Sequence, residues 1–250
     1  MTGDPFSLEG KTILVTGASS GIGRQVAITC AEQGAVLVIT GRDTDRLGET
    51  LSALSGSQHR AIPADLVDSK QRAELIDRCG AIDGLFFSAG IAAIAPFRMI
   101  SEKHVDQLMA IDFEAPVMLV QRLLQQRRIN DSGSIVFNTA IAVHISPAGS
   151  AIYSAAKSAL HAAARSLALE VAKSRIRVNC LQLGYVRTPM LKRMLSSGVD
   201  VKEAEEISPL GFGNPTDAAN AAVFLLSDAS RWISRTTLTA DGGISVRVSH

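Results

Sequence analysis

Tyr153 and Lys157 lie four residues apart in Ser150–Lys173, a segment whose alanine-rich spacing predicts a long helix. Side chains at that separation emerge on one helical face, one turn apart. A phenol ionises near pH ~10 and is a poor base at neutrality. An ammonium beside it favours the phenolate and draws that value toward a usable range. Such a pair could exchange a proton with a bound oxygen. Taken alone, the same spacing is more often a surface pair, so the rest of the chain must decide.

A second cluster is Thr16-Gly17-Ala18-Ser19-Ser20-Gly21-Ile22-Gly23, which follows an apolar run at Thr12–Thr16 and precedes helical spacing over Arg24–Gln33. Its GxxxGxG pattern permits a tight turn, close approach of the backbone to a pyrophosphate and close packing of helix on strand. Amides at the helix N-terminus then face the anion, helped by the helix dipole. The candidate dinucleotide contacts are therefore Gly17, Ser19, Ser20, Gly21, Ile22 and Gly23. The tip of the second apolar run, Ala35–Thr40, continues as Gly41-Arg42. An acid there would hold a ribose 2′-hydroxyl and repel a 2′-phosphate. Gly41 leaves that place open, and Arg42 can offer a planar charged fork to a phosphate. This favours NADP(H) over NAD(H). The alternative is a solvated loop arginine, with Asp43 and Asp45 beside it.

These residues need a frame. After the first strand, turn and helix, the pattern predicts a helix around Asp43–Leu54, a short strand near His59–Pro63, a helix over Ser69–Cys79 and a strand at Asp83–Phe87. A long helical stretch follows over Ser101–Gln126, with Pro116 a candidate bend or break. Then come a strand at Ser134–Asn138, the helix Ser150–Lys173, a strand at Arg177–Leu181, an irregular Met190–Gly213, a helix near Pro215–Leu226 and a strand near Thr236–Thr239. Strands alternating with helices imply a parallel sheet with right-handed crossovers. The expected fold is α/β: one doubly wound Rossmann domain over residues 1–250, about seven strands, helices on both faces.

Composition agrees and excludes other classes. Of 250 residues, 46% are hydrophobic and only 4% aromatic, so aliphatic side chains must fill the core, as suits a buried parallel sheet. The formal net charge of +1 offers no broad footprint for nucleic acid or an anionic membrane. Cys30, Cys79 and Cys180 are dispersed and lack clustered histidines, which points to buried reduced thiols and to no metal or disulfide framework. The opening MTGDPFSLEGK has no apolar core with a basic flank, so the expected location is the cytoplasm.

With the glycine turn and Tyr153-Ser-Ala-Ala-Lys157 in order, the chain from about Leu8 to Gly243 resembles the short-chain dehydrogenase/reductase family. Further matches are Asp65-Leu66, Ala89-Gly90, Gly184-Tyr185-Val186-Arg187-Thr188-Pro189 and Asp241-Gly242-Gly243. The resemblance implies a nicotinamide cofactor, reversible carbonyl/alcohol chemistry, a small-molecule substrate and a homo-oligomer, dimer or tetramer. It implies that Asp65 and Leu66 border the adenine, Ala89 and Gly90 back the ribose, and Val186 and Thr188, beside Gly184, hold the nicotinamide amide. Tyr153 would exchange the proton with the substrate oxygen while hydride moves, and Lys157 would also bind the ribose.

Several positions depart from the family pattern. Asn-Asn-Ala-Gly becomes Phe87-Ser88-Ala89-Gly90, and Pro-Gly becomes Leu183-Gly184. The tetrad asparagine aligns with Asp112, which would support the positive charge of Lys157, accept a proton through water, or simply pair with an arginine. The usual serine, thirteen residues before Tyr153, is Ala140; Thr139 would supply the hydroxyl if the following loop shifted by one residue, although adjacent strand residues point to opposite faces. His144 and Ser146 read as exposed loop residues or pocket donors, and His161 as a packing or surface residue rather than a catalytic one. Met190–Gly213 falls where this family places its substrate-covering segment, with Met190, Leu191, Met194, Leu195, Val199 and Val201 apolar. The leading expectation is an NADP(H)-dependent oxidoreductase, and the alternative is an NADP(H)-binding sensor or scaffold with degraded chemistry.

Overall fold

A computed structural model describes residues 3–196, 205, 206 and 208–246. Strand β1 (Thr12–Thr16) opens the fold, followed by helix α1 (Gly21–Glu32), β2 (Val36–Thr40), α2 (Thr44–Ser52), β3 (Arg60–Ala61), α3 (Ser69–Cys79) and β4 (Ile82–Phe87). Then come α4 (Glu102–Met109), a π-turn (Ala110–Glu114), α5 (Ala115–Gln125), β5 (Ile129–Ala140), the one-turn α6 (Ala142–Ile145) and α7 (Ala151–Glu170). Strand β6 (Arg177–Leu183), α8 (Pro189–Ser196), α9 (Pro215–Leu226) and β7 (Thr237–Ala240) complete it.

All seven strands pair in parallel, in the order β3-β2-β1-β4-β5-β6-β7. Strand alternation splits the core into two layers. Val15, Ile39, Phe86 and Val136 face α1 and α9 through Val26, Cys30, Ala222 and Val223. Leu14, Val38, Leu85 and Phe137 face α3, α5 and α7 through Leu75, Leu119 and Leu160. Strands β1, β2 and β4 are buried on both sides along nearly their whole length, which is why they read as continuous apolar runs rather than alternating ones.

The order reverses between β1 and β4. Thr16 is level with Phe87, Phe87 with Phe137, and Ala140 with Leu183, so the carboxyl ends form one rim. Outside that rim, at the reversal, is where open α/β sheets bind ligands.

The expected elements are present, with differences at their ends. The first helix starts at Gly21 rather than Arg24. The predicted helix over Ser101–Gln126 is two helices joined by the π-turn. Pro116, at the start of α5, has no N–H for the Asp112 carbonyl one turn back, and the wider turn relieves the conflict. The region taken as irregular from Met190 opens with α8, whose Leu191 and Leu195 share one face and whose first turn is capped by Thr188 Oγ1 accepting from the Leu191 N–H. Val199 and Val201 lie outside the described residues. No described helix is long and apolar enough to cross a membrane.

Candidate active site

Turns after β1, β2, β4, β5 and β6 enclose a cleft of about 800 Å³. Gly17, with φ +65°, is seated so closely on the loop after β4 that a Cβ there would lie 2.7 Å from the Ala89 nitrogen. That contact joins the two turns flanking the sheet reversal, and only glycine allows it. Beyond it α1 begins with its N-terminus open. Ser20 at the N-cap makes no side-chain cap and the first turn carries no acid. By contrast, α2, α3 and α4 are capped by Asp43, Asp68 and Ser101. Free amides at one helix start, facing a cleft, suit a pyrophosphate.

The predicted dinucleotide residues line this one cleft: Gly17, Ser19, Ser20, Gly21, Ile22, Arg42, Asp65, Leu66, Ala89, Gly90, Gly184, Val186 and Thr188. Gly23 sits one step behind, buried in the first turn of α1. Thr40 Oγ1 and Asn138 Oδ1, at the ends of β2 and β5, are buried on the cleft lining without a partner among the described residues. Unsatisfied groups at such a place fit a polar ligand. Arg42 is exposed and lies 3.9 Å from Asp65, and Arg46, which sequence reasoning passed over, lines the same end while paired with Asp43 at 3.4 Å. Its position in the first turn of α2 was the available signal.

At the other end of the rim α7 carries Tyr153 and Lys157, and both line the cleft. The Lys157 ammonium is 5.8 Å from the centre of the Tyr153 ring. It donates to the Asn138 carbonyl at 3.4 Å and is paired with Asp112 Oδ1 at 3.0 Å. Asp112, fully buried in the π-turn, accepts from the Ile91 N–H through Oδ2 at 3.4 Å. Its partner is thus Lys157, not an arginine. Gly90 makes the seat: a Cβ there would lie 2.6 Å from Asp112 Oδ1.

Burial pushes the Asp112 carboxyl above its ordinary range, against the pull of Lys157 and the Ile91 N–H. For Lys157, burial favours the neutral amine, but Asp112 and Tyr153 outweigh it and the net displacement is upward. At 3.0 Å the two side chains stand as an ion pair. Burial raises the Tyr153 phenol, Lys157 lowers it and Asp112 raises it, for a net displacement upward. The expected lowering by the ammonium is present but outweighed in the protein alone.

Ala140 lines the cleft without a hydroxyl. Thr139 is 3% exposed, and its hydroxyl donates to the Leu181 carbonyl at 3.4 Å, toward β6. His144 and Ser146 are exposed and do not line the cleft, and Ser146 Oγ donates to the Ala142 carbonyl. His161 is structural, with Nε2 2.6 Å from Thr237 Oγ1, tying α7 to β7. Among the described residues no cluster of three or more His, Cys, Asp or Glu could hold a metal.

Residues 17–245 match a family model described as Enoyl-(Acyl carrier protein) reductase. The chain belongs to the short-chain dehydrogenase/reductase family. It is 29% identical over 248 residues to 7alpha-hydroxysteroid dehydrogenase of Escherichia coli K12, covering 96% of each chain. It is 31% identical over 249 residues to the (2S)-[(R)-hydroxy(phenyl)methyl]succinyl-CoA dehydrogenase subunit BbsD of Thauera aromatica, covering 96% of this chain and 99% of the relative. A solved protein of Beutenbergia cavernae, described as an NAD(P)-dependent gluconate 5-dehydrogenase with NADP bound at low occupancy, superposes with a TM-score of 0.88 at 31% identity, over 98% of this chain and all of the other.

The tight seat of Asp112 carries a direct test. Gly90→Ala is expected to force the carboxylate off Lys157 and to destabilise the fold by about 1–3 kcal/mol, the usual range for overpacking a filled interior. Chemical denaturation measures it, and an unchanged midpoint would mean the seat is loose.

Proposed function

We propose that this member of the family is an NADP(H)-dependent oxidoreductase interconverting a carbonyl and a secondary alcohol, with Tyr153 as acid/base. The observation that carries the reading is the convergence of Tyr153 and Lys157 with the open α1 N-terminus on one cleft. The nicotinamide, when bound, supplies the hydride-transferring carbon. Tyr153 Oη gives its proton to the substrate oxygen in reduction and takes it back in oxidation. Lys157 holds the ribose with the donor capacity left after Asp112 and Asn138. The turn amides from Gly17 through Gly23 bind the pyrophosphate, Asp65 and Leu66 flank the adenine, Ala89 and Gly90 back the ribose, and Gly184, Val186 and Thr188 hold the carboxamide.

The preference for NADP(H) rests on Gly41 where an acid would exclude a 2′-phosphate, and on Arg42 and Arg46 at that end of the cleft. Asp65, 3.9 Å from Arg42, would yield the guanidinium to a phosphate, since an exposed ion pair of that length holds little energy. The opposite half, lined by Ile94, Ile145, Met190, Met194 and Leu195, suits a largely apolar substrate. Exposed Met118 on α5 and Leu169 on α7 support a homo-oligomer, dimer or tetramer, and three buried free thiols suit the cytoplasm.

The substitutions at Asp112 and Ala140 are what a sensor or scaffold with lost chemistry would share. Against that stands the retained phenol, which dinucleotide binding alone does not need. In assays of apolar ketones with NADPH, Tyr153→Phe is expected to abolish turnover while leaving NADPH affinity within a few fold; turnover that survives the change overturns the assignment. Arg42→Ala is expected to weaken NADPH binding about tenfold or more with NADH little changed, as loss of a charge-assisted contact requires. An unchanged NADPH to NADH ratio in titrations would return the arginine to solvent. Thr139 carries the last hydroxyl of β5, and its long bond to Leu181 leaves it exchangeable for a substrate oxygen. Ala140→Ser places a donor on the strand end itself and is expected to raise kcat/KM by about 10-fold or more, toward the 10²–10³ such a donor supplies elsewhere. A steady-state rate that falls would instead show that Thr139 already fills that role.

A further inference from the structure

The Asp112–Lys157 pair changes what the lysine can do for the phenol. A lone ammonium near a tyrosine stabilises the phenolate. Here the ammonium is 3.0 Å from a fully buried carboxylate and 5.8 Å from the phenol ring centre. Seen from the phenol the two charges oppose each other, because the carboxylate lies closer to the ammonium than the ammonium does to the ring. The carboxylate is not free to swing away: the Ile91 N–H, the π-turn and the Gly90 backbone fix it.

The other groups around the pair do not restore a net positive charge. Strand β5 contributes the Asn138 carbonyl, an acceptor. Strand β6 contributes the Cys180 thiol, which burial pushes up to about 12 and so keeps neutral. On α7 the next ionisable side chain is His161, turned to Thr237 and held below the ordinary histidine range by burial and Arg165. His144 on α6 is exposed and outside the cleft lining, while Tyr185 and Arg193 belong to that lining.

We propose that Asp112 is a positioning residue that cancels the charge of Lys157 at Tyr153, so that the phenol is a proton donor at neutral pH and a proton acceptor only in alkaline solution. This deepens the reading of Tyr153 given above and rests on it. At neutral pH the protonated phenol is the form that reduction needs. The carbonyl carbon receives the hydride from NADPH, the carbonyl oxygen receives the Tyr153 proton, and the phenolate left behind is reprotonated from water. The reverse reaction needs the phenolate first, and so is confined to high pH.

The chain has only two tyrosines, Tyr153 and Tyr185, so Tyr185→Phe leaves a single phenol to observe. Tyrosinate absorbance of Y185F, titrated without substrate or dinucleotide and with circular dichroism confirming the fold, is expected to show a midpoint above the ordinary value near ~10. The double variant Y185F/D112N, which keeps an acceptor for the Ile91 N–H, is expected to titrate about one pH unit lower or more, as removal of one close negative charge requires. A Y185F midpoint at or below the ordinary value overturns the proposal whether or not the double variant folds. So does an unmoved midpoint in a folded double variant, since a structural role for Asp112 alone would change stability without moving the phenol. Failure of the parent reading looks different: turnover surviving in Tyr153→Phe, with the titration unaffected.

Discussion

A buried ion pair is expensive to assemble, because each charge gives up several kcal/mol of hydration that the partner must return. The pair between Asp112 and Lys157 is held at the junction of three elements, and much of the surrounding architecture exists to complete it. The π-turn brings Asp112 inward between α4 and α5. Gly90 clears the space its carboxylate occupies, and the end of β5 offers a carbonyl to a second ammonium proton. Removing any one of these leaves a largely buried charge without its full set of partners.

That constraint explains why the chemistry sits at the sheet reversal and not elsewhere on the rim. Strands β1 and β4 part their connections to opposite faces, and in the crevice between the following turns a helix N-terminus and the buried pair border the same space. The two ends of the cleft then differ in physical character. One presents uncapped amides and exposed guanidinium groups, whose attraction for phosphate is long-ranged and screened by salt. The other presents a fixed, nearly neutral cluster beside aliphatic and thioether side chains, where orientation matters more than charge.

Much of this was legible in residue order. Continuous aliphatic runs identified the strands, because a sheet covered on both faces has no polar side to show, and Gly17 through Gly23 marked the first turn because only glycine admits the contact with Ala89. The 1,5 spacing of Tyr153 and Lys157 sufficed to place both on one face. What stayed hidden were relations set by tertiary contact. Asp112 could have met an arginine, a water or Lys157, since nothing local to Ile111-Asp112-Phe113 specifies the partner. The π-turn was masked by a pattern compatible with one continuous helix, with Pro116 its only local sign. Residues 190–196 have too few turns for periodicity to declare a helix, so α8 emerged only from its contact with Phe212. Arg46 and Asn138 went unnoticed because neither belongs to a motif; each is defined by the side of an element it occupies.

The substitutions at Ala140 and Asp112 have a common physical direction. A hydroxyl at the first position would stabilise a developing oxyanion, and an uncharged amide at the second would leave the full ammonium charge acting on the phenol. Their absence removes help for negative charge on oxygen at two points of the same site. A reaction in which the proton reaches the oxygen together with the hydride, from a phenol that is in its protonated form whenever substrate binds, has less need of such help than one that builds an alkoxide first. An apolar cleft wall favours the same order of events, because it solvates a neutral alcohol far better than an alkoxide. The two departures from the family pattern, which look like decay when each is taken alone, are thus mutually consistent with a site that keeps charge on the substrate oxygen low throughout.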